Sequence, residues 1–342
     1  MSLDLSHISR RRALRGLAAA GAGLVLAGRE GVAFAGEEGA LWTPLKHGGR
    51  DYLPLEQVGR FYGFGSVQRS GKGFVVGAGA RSLSGQADSV DFKISHIKFI
   101  LSYPVADVGG TLCLSRVDLV KLIEPVLRPS KIEGAARVNT VVLDPGHGGE
   151  DRGAVGRLGD EKTFTLDVAM RAAALLGRSG YKVLLTRASD EAVSLEERVK
   201  FARRFPAALF VSVHFNSGGS GTGVETYAMS PRGVPSMSAE GAQLAAYEAY
   251  PGNSFDSENA ALATATHASL VSRSGMFDRG IKRARFYVLR EANLPGVLLE
   301  AGFLSNPEDM QRIASPWYRQ QVAGSIVEAV GNYRRSVGGA SV

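Results

Sequence analysis

From Asn139 onward the chain alternates short apolar runs with segments of helical period, and polar clusters fall where the apolar runs stop. Thr140 to Leu143 reads as a buried strand, and Thr165 to Leu176 as a helix with Leu166, Ala169, Ala173 and Leu176 on one face. Tyr181 to Leu185 is the next strand, Leu195 to Arg204 a helix, and Ala208 to Val213 a third strand. Gly223 to Met229 and Arg285 to Leu289 are further strand candidates, Pro295 to Glu300 is a buried strand, and Pro316 to Tyr333 closes the chain as a helix. This alternation predicts an α/β fold, a twisted and largely parallel sheet with helices on both faces, over residues 139–335. In that architecture ligands bind beyond the carboxyl ends of the strands.

Residues 41–128 have a different texture and predict a small β-rich α+β domain. Tyr52 to Leu55 runs into Glu56 to Tyr62, and Thr111 to Ser115 runs into Arg116 to Leu127; both read as a strand feeding a helix, a hint of internal duplication. Gly73 to Gly77 and Phe92 to Leu101 alternate as strands between Gly-rich turns. The pattern resembles the small domain named after the copper amine oxidase N-terminus. Residues 129–138, inside a stretch with two prolines and a Gly-Ala-Ala tail, form the expected linker.

Ahead of this lies a segment to be set aside from the fold. Arg10, Arg11, Arg12 and Arg15 precede an apolar Gly/Ala-rich run from Gly16 to Ala27, and Ala33-Phe34-Ala35 precedes Gly36. A basic region, a short apolar run and a small-x-small site make residues 1–35 a signal peptide, and the arginine pair after Ser9 resembles a twin-arginine signal. The expected location is therefore outside the cytoplasm, in the periplasm or cell envelope. A run of about 12 apolar residues is too short for a stable membrane span, so none is expected after cleavage.

The signal carries much of the formal net charge of +7. Residues 41–128 hold 11 Lys and Arg against 7 Asp and Glu, and residues 129–342 hold 24 against 22. That bias is too dilute for a nucleic-acid-binding surface. The single cysteine, Cys113, rules out an intrachain disulfide and a cysteine-based zinc site. Any metal has to be held by histidines and carboxylates.

Such residues stand at the predicted strand ends. Asp144-Pro145-Gly146-His147-Gly148-Gly149 follows the first strand, His214-Phe215-Asn216 ends the third, and Glu300-Ala301-Gly302-Phe303 ends the last. Glu161 opens the helix after the first loop and can point back toward His147. Two imidazoles and one carboxylate leave the fourth position of tetrahedral Zn2+ open, the catalytic arrangement. A site for Mg2+ or Ca2+ would want more carboxylates. His47, His96 and His267 have no such company, and His267 is expected to face solvent or packing.

The segments DPGHGG at 144–149, GDEKTFTLDVA at 159–169, SVHFNS at 212–217 and VLLEAGFLSN at 297–306 resemble the signature blocks of the zinc-dependent N-acetylmuramoyl-L-alanine amidases of the amidase-3 type. Four blocks in order make the resemblance specific. It implies His147, Glu161 and His214 as zinc ligands and Glu300 as the catalytic residue. It also implies peptidoglycan as substrate, with the amide between the lactyl group and L-alanine as the bond cut. Asp278 to Lys282 and Phe286 to Arg290 look like the family's substrate-groove segment, and Phe215 stands where an alanine is common. A zinc exopeptidase and an inactive wall-binding protein are the competing readings. Some relatives carry a helix that blocks the metal until an activator protein removes it. By position, residues 231–258 could do the same with Glu240 or Glu248, if that segment leaves the sheet beside His214; the alternative, and the favoured one, is a surface lobe that shapes the substrate groove.

Overall fold

The structure is a computed structural model, described over residues 42–135, 138–238 and 246–337. The expected signal peptide, and Glu240 with most of the helix expected around it, lie outside the described residues.

The front part begins with β1 (Leu45–His47), β2 (Arg50–Pro54) and helix α1 (Leu55–Phe61). A meander follows: β3 (Val67–Ser70), β4 (Gly73–Ala78), β5 (Arg81–Gln86), β6 (Asp91–Ile94) and β7 (Ile97–Ile100). Then come β8 (Ala106–Val108), β9 (Thr111–Ser115) and a run of short helical turns, α2 (Arg116–Asp118) and α3 (Glu124–Leu127) flanking a π-helical turn. The expected strand Phe92 to Leu101 is thus a hairpin, turned at Ser95, whose φ of 58° no strand residue adopts. The two strand-helix units sit side by side, β2 pairing antiparallel with β9.

The rear part supplies β10 (Thr140–Pro145), the small hairpin β11 (Val155–Gly156) and β12 (Gly159–Asp160), α4 (Glu161–Arg178), β13 (Lys182–Leu185), α5 (Leu195–Ala202) and β14 (Ala208–Asn216). It ends with β15 (Val224–Met229), α6 (Asp256–Ser274), β16 (Asp278–Ala284), α7 (Tyr287–Glu291), β17 (Gly296–Phe303), α8 (Pro307–Ala314) and α9 (Pro316–Val337). Residues 285–289 were expected as a strand. The strand lies just before them and α7 takes Tyr287 onward, because the charged residues of β16 mask its period in the sequence.

One mixed sheet of eleven strands runs β13-β10-β14-β17-β15-β16-β7-β6-β5-β4-β3. The pleat sorts its side chains. Val141, Leu143, Leu209, Val211, Val213, Val297 and Leu299 pack under α4, α6 and α9, in an apolar core continuous with that of the front part. Val142, Phe210, Leu298 and Tyr227 face the other way, under the short α5 and α7. β10, β13, β14 and β17 are parallel, so their carboxyl ends share one edge. β15 runs antiparallel to β17, so the chain enters it at that edge and leaves at the opposite one. Residues 231–258 therefore depart about 16 Å of strand away from the level of Glu225 and Glu300, not beside His214. Tyr103 donates to the Gly233 carbonyl there at 2.8 Å, and Glu248 accepts from Tyr250. The expectation that Glu248 could reach the metal fails for this topological reason.

The front part is fused to the rear. β7 pairs with β16 through Phe99 and Ile281, Lys98 N donates to Asp278 Oδ2 at 3.0 Å, and buried Asp118 meets buried Arg283. Among the described residues no helix is long and apolar enough to cross a membrane.

Candidate active site

At the shared edge of β10, β14 and β17, three potential ligands meet. His147 lies just past β10, Glu161 is the first residue of α4, and His214 stands near the end of β14. One ligand atom of each lies within 4.8 Å of those of the other two, the geometry of a group able to hold a metal ion. Glu161 Oε2 is 3.1 Å from His147 Nε2, and Oε1 is 2.9 Å from His214 Nδ1. Two backbone amides aim the carboxylate, Ala154 N at 2.8 Å and Phe215 N at 3.1 Å. Burial pushes the Glu161 carboxyl up, but the hydrogen bonds and charge of both histidines outweigh it and hold it well below the usual carboxylate range. Burial pushes His147 down, yet Glu161 and Asp151 raise it overall.

Close approach of backbone to these rings needs glycine. A Cβ on Gly146 would stand 2.2 Å from His214 Cε1, and one on Gly153 would stand 2.6 Å from both Glu161 Oε2 and His147 Cδ2. His147 itself has φ 60°, a left-handed conformation costly for a residue with a Cβ.

Glu300 on β17 is the register partner of His214 on one side and of Glu225 on the other. Its Oε2 is buried and has no hydrogen-bond partner. Burial, then the charges of Glu161 and Glu225, push its carboxyl well above the ordinary value, with Lys282 opposing. A buried carboxylate lacking a partner is destabilising, so this position is not explained by the fold. The donor set suits a metal of intermediate hardness, and a cation among the three residues would draw the raised Glu300 carboxyl back down.

A family model described as N-acetylmuramoyl-L-alanine amidase matches residues 141–332. The chain belongs to that family. It is 30% identical over 258 residues to the amidase AmiA of Escherichia coli (strain K12), covering 66% of this chain and 86% of that protein. To the sporulation-specific N-acetylmuramoyl-L-alanine amidase of Bacillus subtilis (strain 168) it is 34% identical over 185 residues, 54% of this chain and 63% of that one. Among solved structures, the amidase AmiC2 of Nostoc punctiforme matches with 33% identity and a TM-score of 0.48, over 59% of this chain and 99% of that one. The amidase is accordingly an enzyme, an amide hydrolase.

Several residues of the amidase site carry no signal in the sequence. Asp151 Oδ2 stands 2.8 Å from His147 Nδ1 and fixes the ring so that Nε2 faces Glu161. Arg187 and Arg198 are buried and hold the loop of His147 by its carbonyls: Arg187 donates to Pro145 and Gly146, Arg198 to Pro145 and His147. Only Arg198 also has a carboxylate, Asp144, at 2.7 Å. Burial would raise Asp144, but Arg198, Thr186 and Ser212 hold it below its usual value. Phe215 points away from the cleft into the core, edge-on to Phe164, so the cleft is not narrowed by it. His267 is fully buried between Thr226 and Asp278, and His47 and His96 are exposed.

Proposed function

We propose that this chain is an exported, zinc-dependent peptidoglycan amidase that cleaves the bond between the lactyl group of N-acetylmuramic acid and L-alanine of the stem peptide. The observation that carries the reading is the meeting of His147, Glu161 and His214 beside a buried carboxylate, Glu300, whose Oε2 has no partner. His147, Glu161 and His214 would hold the ion. When bound, Zn2+ supplies Lewis acidity toward the scissile carbonyl and lowers the pKa of water from 15.7 to about 7.

The rest of the mechanism belongs to the chain. Glu300 accepts a proton from the attacking water at Oε2 and hands it to the departing alanine nitrogen, which must leave as an amine. Its Oε2 has no other hydrogen-bond partner, which leaves that oxygen free to take the proton. Asp151 keeps His147 in one tautomer, and Arg187 and Arg198 keep the loop that carries it in one conformation. Export rests on the basic and apolar character of residues 1–35, and an activator protein rests on the family resemblance.

The test is cleavage of intact muropeptide against a plain tetrapeptide, read as the newly freed alanine amino group. The wild type should cut the muropeptide alone. His147→Ala should lose zinc, whereas Glu300→Gln should keep zinc and fold yet lose at least ~10²–10⁴-fold in turnover. Cleavage of the free peptide instead makes the protein an exopeptidase, and cleavage of neither makes it a binding protein. Wild-type turnover by Glu300→Gln removes the role of Glu300.

A further inference from the structure

The loop that carries His147 keeps an unfavourable shape. His147, Gly148 and Gly149 have φ of 60°, 134° and 60°. Three positive values in succession, one of them on a residue with a Cβ, persist only where the surroundings over-determine them. On the upstream side Arg187 and Arg198 take the carbonyls of Pro145, Gly146 and His147. On the downstream side the chain still has to reach Asp151, whose Oδ2 orients the His147 ring.

There Gly149 is gripped at both of its backbone groups. Its N–H donates to Asp190 Oδ1 at 2.8 Å, and its carbonyl accepts from Lys162 Nζ at 2.7 Å. Lys162 Nζ also donates to Asp190 Oδ2 at 2.7 Å, which closes a ring of three hydrogen bonds around one glycine. The bonds from Lys162 and from Gly149 N hold the Asp190 carboxyl below its usual value, so it is ionised. An ammonium suits this place, since its three donors can serve two acceptors at one point.

Lys162 follows Glu161 in the first turn of α4, where a cation opposes the helix dipole. Helix stability therefore does not explain it. Nor does solvation, because its side chain is only 17% exposed. Lys200 and Glu196 on α5 stand at the same 2.7 Å but with side chains 69% and 63% exposed, an ordinary solvated pair.

We propose that Lys162 and Asp190 are positioning residues for the metal: by fixing Gly149 against the start of α4, they set the gap between the His147 ring and the Glu161 carboxylate. This rests on the amidase reading above. The clamp joins the residue two places after one ligand to the residue next to another. His214 needs no such tie, since β14 is paired on both sides and places it.

The experiment measures zinc affinity by competition with a chelator, together with urea unfolding of the zinc-free protein. Lys162→Met should weaken zinc binding about 10–100-fold, the scale for groups that hold a ligand rather than the ion. Asp190→Ala, at a side chain 56% exposed, should fold and weaken it about tenfold, so it decides the matter if Lys162→Met does not fold. The double variant should lose less than about twofold more than Lys162→Met, because both residues act through Gly149. Lys162→Arg should recover part of the affinity, and Lys200→Met should leave it within about twofold of wild type. With Co2+ in place of zinc, the visible absorption of the bound ion should change in Lys162→Met and stay as in wild type in Lys200→Met. Wild-type affinity in Asp190→Ala, or lost stability in Lys162→Met with wild-type affinity and Co2+ absorption, overturns the clamp and leaves the amidase reading in place. A wild type that binds no zinc overturns the metal-dependent reading and the clamp with it.

Discussion

In the rear part, β10, β14 and β17 are buried on both faces and run in the same direction, while in the front part β3 to β7 reverse at every turn and mostly alternate buried and exposed residues. The consequence lies at the strand ends. Parallel strands deliver their carboxyl ends to one edge, so residues 144–149, 214 and 300 meet although they are far apart in sequence. A meander alternates its ends, and its loops are too short to bring several reactive groups together. The front part uses its buried charge differently: Asp118 accepts from Ser102, Tyr103 and Ser115 and pairs with Arg283, which fastens it to the rear sheet.

The same chemical insult in each part tests that division. Arg198→Met leaves Asp144, which is 1% exposed, without its cation and frees the carbonyl of His147. Asp118→Ala strands Arg283 at the junction. Breaking a buried pair from one side costs about 3–5 kcal/mol, so both variants should show that loss in denaturant unfolding. Only Arg198→Met should also lose zinc on dialysis, because only it releases the loop of His147. Equal zinc loss in Asp118→Ala would break the comparison and show that the junction holds the site in shape.

How much of this could be read in advance follows the same line. The rear strands are legible because burial on both faces makes continuous apolar runs, and a histidine, glutamate or aspartate at the end of such a run stands out. β16 is not legible, because Arg279, Lys282 and Arg283 look like loop residues until their partners are known. Those partners, Glu225 and Asp118, lie 54 to 165 positions away. The reversed direction of β15 has no local signal either, since a strand reads alike in both senses. That is why the sequence left room for residues 231–258 to lie over the cleft. Arg187 and Arg198 belong to the same class: their partners are backbone carbonyls, which every sequence has.

A smaller effect sharpens the contrast between stability and chemistry within the rear part. Glu300 has a folded-state pKa raised above its unfolded value, so its contribution runs against folding once pH rises past the unfolded value near 4.5 and grows until the folded value is passed. In zinc-free protein, Glu300→Gln should therefore raise Tm at pH 7, and the gain should fade as pH is lowered below about 4.5. In the front part Asp107 goes the other way, lowered by its bond to Arg69. A Glu300→Gln variant less stable than wild type at pH 7 would mean that Glu300 is held by the fold rather than for the reaction.

The smallest expected effect compares two residues with nearly the same backbone. Ser95 in the front hairpin has φ 58° and His147 has φ 60°. For His147 the left-handed backbone delivers an imidazole to the cleft, whereas for Ser95 it only turns β6 into β7. Ser95→Gly relieves a conformation that costs about 1–2 kcal/mol for residues with a Cβ. It also gives up the exposed bond from Ser95 Oγ to the Ala80 carbonyl at 2.6 Å, worth about 0.5–1.5 kcal/mol, and adds entropy to the unfolded chain. These terms nearly cancel, so the stability change in urea should lie within about 0.5 kcal/mol, with amidase activity unchanged. A loss above about 1.5 kcal/mol would mean that the hairpin, through β7 and its pairing to β16, contributes more to the shared sheet than its single bridge at Phe99 and Ile281 implies.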